Sequence, residues 1–108
     1  LTLLAGLMMF ANMANTQNMS RWIDLTAQQG EQIQIDLKAD VAETPVKVES
    51  GTYSNTFTVG TNWTSFQNYT AQAATMRVYG DITGFNCSWN RANVTGLDVS
   101  HNTALKEL

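Results

Sequence analysis

Cys87 and His101 are the side chains here best equipped for nucleophilic or acid–base chemistry, and each type occurs once. A cysteine nucleophile needs a neighbouring base and an electropositive setting. The repeat described below puts the two residues in successive blocks on opposite sides of a coil. Cys87 is therefore expected to be a buried structural thiol, packing as a small hydrophobe. His101 has no companion ligands at metal-binding spacing and reads as a solvent-facing position. Asp24, Asp36, Asp40, Glu43 and Glu49 form neither a paired carboxylate motif nor a calcium loop, so solvated strand faces and turns account for them. No catalytic, cofactor-binding or metal-binding residue is assigned, and the chain is read as non-enzymatic. Trp63, Phe66 and Tyr69, spaced by three, have two readings: a platform for sugar rings or a partner surface, or core aromatics of a small sandwich.

The elements that must position these residues are short. Trp22–Thr26 alternates apolar and polar, and Gln32–Lys38 does so strictly, with Ile33, Ile35 and Leu37 on one face. The Gly30 turn between them predicts a hairpin. Ala39–Thr44 is a loop or a single helical turn ended by Pro45. Val46–Glu49, Tyr53, Thr56–Val59, the Trp63–Thr70 stretch and Thr75–Tyr79 supply further strands, punctuated by Gly51, Gly60 and Gly80. Short strands at this spacing predict a mainly β fold, a small antiparallel sandwich.

A net charge of −3, with six scattered Lys and Arg, excludes the basic stripe that a nucleic-acid partner requires. Residues 1–14 differ from the rest: the uncharged run Leu1–Ala11, followed by Asn12-Met13-Ala14, matches the apolar core and small-residue end of a secretory signal peptide. It is expected to be helical over 2–13 and is too short to span a bilayer. A secreted or cell-surface location follows as an expectation, with no membrane span.

The last quarter of the chain is repetitive. Ile82-Thr-Gly-Phe-Asn-Cys-Ser-Trp-Asn90 superposes on Val94-Thr-Gly-Leu-Asp-Val-Ser-His-Asn102 at an offset of twelve. Ile82, Phe85 and Cys87 fall on Val94, Leu97 and Val99, Asn90 falls on Asn102, and Leu105 and Leu108 open a third block. Each block alternates like a short strand and ends in an asparagine, whose amide can serve both a C=O and an N–H of the backbone where the chain turns. This is the logic of the leucine-rich repeat, with two blocks filling a single coil that runs from Ile82 to Leu105.

Asn86-Cys-Ser-Trp-Asn90 and Thr95-Gly-Leu-Asp-Val-Ser-His-Asn-Thr-Ala-Leu105 together resemble the "L-D-C-S-x-N … L-T-x-L-D-V-S-x-N-T-A-L" coil of bacterial cell-surface leucine-rich-repeat proteins of the internalin-like, cysteine-ladder type. Phe85, Asn86 and the Arg91-Ala92-Asn93 link depart from that pattern, and terminal repeats are atypical. The resemblance implies an inward, ladder position for Cys87. Together with the signal-peptide remnant (1–14), it divides the chain into a β-rich N-terminal cap (15–81) and the start of a repeat array (82–108). Recognition of or adhesion to a protein or glycan ligand by the complete array is the implied function. Other readings are a β-sandwich carbohydrate-binding module acting through Trp63, Phe66 and Tyr69, and an accessory domain of a secreted hydrolase.

Overall fold

The computed structural model describes residues 16–108; the apolar N-terminal run, with its expected helix, lies outside the described residues. The strands are β1 (Trp22–Ala27), β2 (Gln32–Lys38), β3 (Thr44–Ser50), β4 (Tyr53–Val59), β5 (Gln67–Thr70), β6 (Thr75–Tyr79), β7 (Gly84–Asn86) and β8 (Val94–Asp98). They form a five-stranded sheet, β4-β3-β6-β1-β8, and a three-stranded sheet, β5-β2-β7, with every strand pair antiparallel. The protein is mainly β, as the alternation predicts.

Period-two patterning builds the core. Ile23, Leu25 and Ala27 of β1, Val46 and Val48 of β3, and Met76 and Val78 of β6 point inward from the larger sheet; Ile33, Ile35 and Leu37 answer from β2. Their polar alternates face outward. Pro45 stands inside β3, where only β4 is its registered neighbour, because β6 pairs with β3 from Lys47 onward. A proline is tolerated where one side of the strand has no ladder partner to serve.

The expected β1–β2 hairpin does not form. β1 pairs with β6 and β8, whereas β2 pairs with β5 and β7, so the Gly30 turn (φ 92°) carries the chain from one sheet to the other. Both strands have fully buried apolar faces, and opposing them across the core covers both at once. In a single two-stranded ribbon the same faces would lie side by side and remain uncovered.

The repeat region joins the same core. β7 extends the smaller sheet and β8 the larger one, linked by a 3₁₀ segment, Ser88–Asn93, broken at Arg91 (φ 52°). Ile82 and Phe85 are fully buried with residues of β1, β2, β3 and β6, so the core runs without a break across the expected boundary at residue 81. Among the described residues the sandwich has two open sides: one bounded by β4 and β5, the other by β7 and β8.

Candidate functional site

The two blocks repeat in three dimensions as well as in sequence. Ser88 N–H donates to the side chain of Asn86 and Ser100 N–H to that of Asp98, each at 2.9 Å. Asn90 N–H reaches Cys87 O at 3.4 Å, and Asn102 N–H reaches Val99 O at 3.0 Å. The shared glycines also have a common reason. A Cβ on Gly84 would lie 2.9 Å from the Trp63 ring and 3.0 Å from Lys38 Cβ, and one on Gly96 would lie 2.8 Å from Thr26 Oγ1.

Asn90 and Asn102 are buried and spend their amides on backbone. Asn90 Oδ1 accepts from Gln34 N–H at 2.6 Å, and its Nδ2 donates to Gln34 O at 2.7 Å and to Cys87 O at 2.9 Å. Gln34 lies beyond the end of the β2–β7 ladder, which runs over Asp36–Lys38, so the side chain continues the pairing where backbone stops. Asn102 donates to Ile82 O at 3.1 Å and accepts from Ala104 N–H at 3.0 Å. The third block then returns beside the first. Glu107 bridges Gly84 in parallel, and Phe85 N–H donates to Glu107 O at 3.0 Å. Lys106 and Glu107 N–H both donate to Thr83 O, at 2.8 and 3.0 Å. Side chains hold the same junction: Lys38 pairs with Glu107, and Lys106 with Asp40 at 2.5 Å.

Burial thins along the repeat. Ile82, Phe85 and the two asparagines are buried; Cys87, Val94, Val99 and Leu105 are partly buried against the core; Leu97 and Leu108 are 41% and 71% exposed. Leu97 stands opposite the buried Leu25 and therefore on the inner face of its sheet. With Phe85, Cys87 and Leu108 it lines an apolar opening of about 360 Å³ between β7 and β8. The buried thiol expected at Cys87 is half-buried, at the rim of this opening, where no further layer covers it among the described residues. Burial still raises its pKa above the ordinary thiol value.

Trp63, Phe66 and Tyr69 do not converge on one platform. Trp63 lies against Gly84 with the Lys38 ammonium 5.2 Å from its ring centre. Phe66 stacks on Trp89 at 4.7 Å, and Tyr69, buried opposite Ile33, stacks on Phe57 at 5.6 Å. Burial, with the nearby Tyr53 and Asp36, pushes the Tyr69 phenol up to about 12. The side chains at i, i+3 and i+6 diverge because Ser65 (φ 67°) turns the chain before β5 begins.

His101 has company that spacing alone does not reveal. The β1–β8 register sets Asp24 opposite Asp98, and potential ligand atoms of Asp24, Asp98 and His101 lie within 4.8 Å of one another. Asp24 already receives Arg77 through Nε at 2.7 Å and Nη2 at 3.1 Å, and Trp22 Nε1 at 3.2 Å. Ser100 donates to Asp98 through Oγ at 2.6 Å and through its N–H, holding that carboxyl below its usual range. The imidazole stacks on Trp22 at 4.3 Å, and Arg77 lies 4.7 Å from the same indole. The pKa of Arg77 is raised, first by its hydrogen bond to Asp24. A cation here would compete with a guanidinium already forked on Asp24, so the cluster serves best as a clasp between β1 and the turn after β8.

No protein-family model, curated protein or solved structure matches this chain. Among the described residues no helix is long and apolar enough to cross a membrane.

Proposed function

We propose that this chain is the β-rich cap and first coil of a secreted or surface-displayed leucine-rich-repeat protein, a non-enzymatic recognition or adhesion module. The observation that carries the reading is the parallel bridge of Glu107 to Gly84, which spans both blocks of the repeat. Among described residues that otherwise pair antiparallel, a segment that returns alongside itself after one repeat length is the elementary step of a solenoid. The buried amides of Asn90 and Asn102 support it, since they occupy the turning points where a coil needs backbone partners. The apolar opening at Phe85, Cys87, Leu97 and Leu108 is the surface on which a second coil would stack. Cys87 and His101 have separate surroundings, the seam and the Trp22 clasp respectively, which favours a structural thiol over a Cys–His nucleophile.

Terminal repeats need caps with a polar outer face. Fusing this chain to a consensus leucine-rich-repeat array stripped of its own N-terminal cap tests the role. The fusion should remain monomeric and unfold cooperatively where the uncapped array aggregates. A fusion that aggregates as readily as the uncapped array contradicts the proposal.

A further inference from the structure

The other open side of the sandwich has a different chemistry. β4 and β5 are the edge strands there, and register decides which side chains face the core. Asn55 and Phe57 stand opposite the buried Val48 and Val46, and Gln67 and Tyr69 opposite the buried Ile35 and Ile33. All four therefore occupy inner-face positions. Folding alone calls for apolar residues at such places, and polar residues there are errors unless they serve a function. Asn55 and Gln67 are instead amides, and both are exposed. With Thr58 and Asn68 they line a cleft of about 310 Å³ around the stacked Phe57–Tyr69 pair, and among the described residues its wall carries no charged side chain. The volume sits at the lower end of the range for small-molecule sites.

We propose that this cleft binds a neutral saccharide. Side-chain amides offer a donor and an acceptor side by side, the pattern that adjacent sugar hydroxyls complement; Gln67 Nε2 gives one N–H to Thr64 O at 3.2 Å, which orients the amide and leaves its Oε1 and second N–H for a ligand. Half-buried Phe57 supplies an apolar edge for the C–H face of a pyranose ring. An uncharged wall has nothing to neutralise a uronic acid, sulfate or phosphate, so acidic glycans are disfavoured. The apolar seam at β7–β8 lacks amides of this kind at its inner positions Phe85 and Leu97, so the two openings suit different occupants. The assignment does not depend on the repeat reading: the cleft is built from β4 and β5 and would stand if no solenoid existed.

The test is an array of neutral and acidic oligosaccharides probed with the full chain, followed by titration calorimetry on the neutral oligosaccharides retained. Asn55→Val with Gln67→Val places apolar residues where folding prefers them and removes one exposed hydrogen bond, Gln67 to Thr64 O, so the melting temperature should change little while affinity falls about tenfold or more. Asn55→Ala with Gln67→Ala, should the valines promote edge association, is expected to lose binding equally while remaining monomeric. Retention of no neutral oligosaccharide, binding of acidic oligosaccharides alone, or undiminished binding by a folded double variant would each overturn the proposal.

Discussion

The amide of Asn90 pairs with both backbone groups of Gln34, 56 positions earlier in the chain, at 2.6 and 2.7 Å. One repeat asparagine thus splices the repeat region to β2. Asn90→Ala leaves the backbone N–H and C=O of Gln34 short of a partner, while Cys87 O keeps the N–H of residue 90. We expect a loss of about 2–4 kcal/mol in chemical denaturation, from desolvated groups costing about 1–3 kcal/mol each. Asn90→Asp, which keeps the acceptor and loses the donor, should also destabilise.

Tyr69 gives the protein an alkaline limit. Its folded pKa of about 12 exceeds the ordinary value of 10.0, so the phenol remains protonated in the native state after the unfolded chain has released its proton. The stability tied to the neutral phenol is present in full below about pH 10 and is lost as pH rises through 12. Unfolding free energy measured at pH 9 and pH 11.5 should fall for the native sequence and fall less for Tyr69→Phe. Equal slopes would show that the phenol does not titrate with unfolding.

Gly84 is small because Trp63 and Lys38 lie over it. Gly84→Ala should cost about 1 kcal/mol, at the mild end of overpacking, since the Trp63 ring is exposed and can swing outward. In a double-mutant cycle with Trp63→Ala the penalty should shrink without vanishing, because Lys38 Cβ remains 3.0 Å from the added methyl. Additivity of the two substitutions would place the strain elsewhere.

Cys87 should react with a thiol reagent at pH 8 more slowly than a free cysteine, and at the free rate once the chain is denatured. Cys87→Ser should cost about 1 kcal/mol, the low end for burying a hydroxyl, since the site is only half buried. A native reaction as fast as that of the denatured chain would contradict its partial burial against the core.

Much of this architecture is legible in the residues. Alternation in Gln32–Lys38 and Thr75–Tyr79 marks their inner faces correctly, and the twelve-residue offset foretells the paired turns at Ser88 and Ser100. Strand pairing is another matter. Nothing local distinguishes a hairpin at Gly30 from a crossing between sheets, because the choice is made by β6 and β8, far away in sequence. The Asp24–Asp98–His101 cluster is hidden for the same reason, its members meeting only through the β1–β8 register. The amides at Asn55 and Gln67 look like ordinary strand polarity until their partners Val48 and Ile35 reveal that they face inward.

Everything proposed for the repeat region turns on whether the β7–β8 seam is the stacking surface for a second coil. Urea denaturation can decide this on the chain lengthened at Leu108 by one further coil, patterned on residues 86–108 so that the step from Gly84 to Glu107 is kept. A stacked coil gives a single transition with a higher midpoint and a larger m-value, and slower native labelling of Cys87 as the added layer covers it. An unchanged midpoint with Cys87 labelled as before would contradict the stacking role.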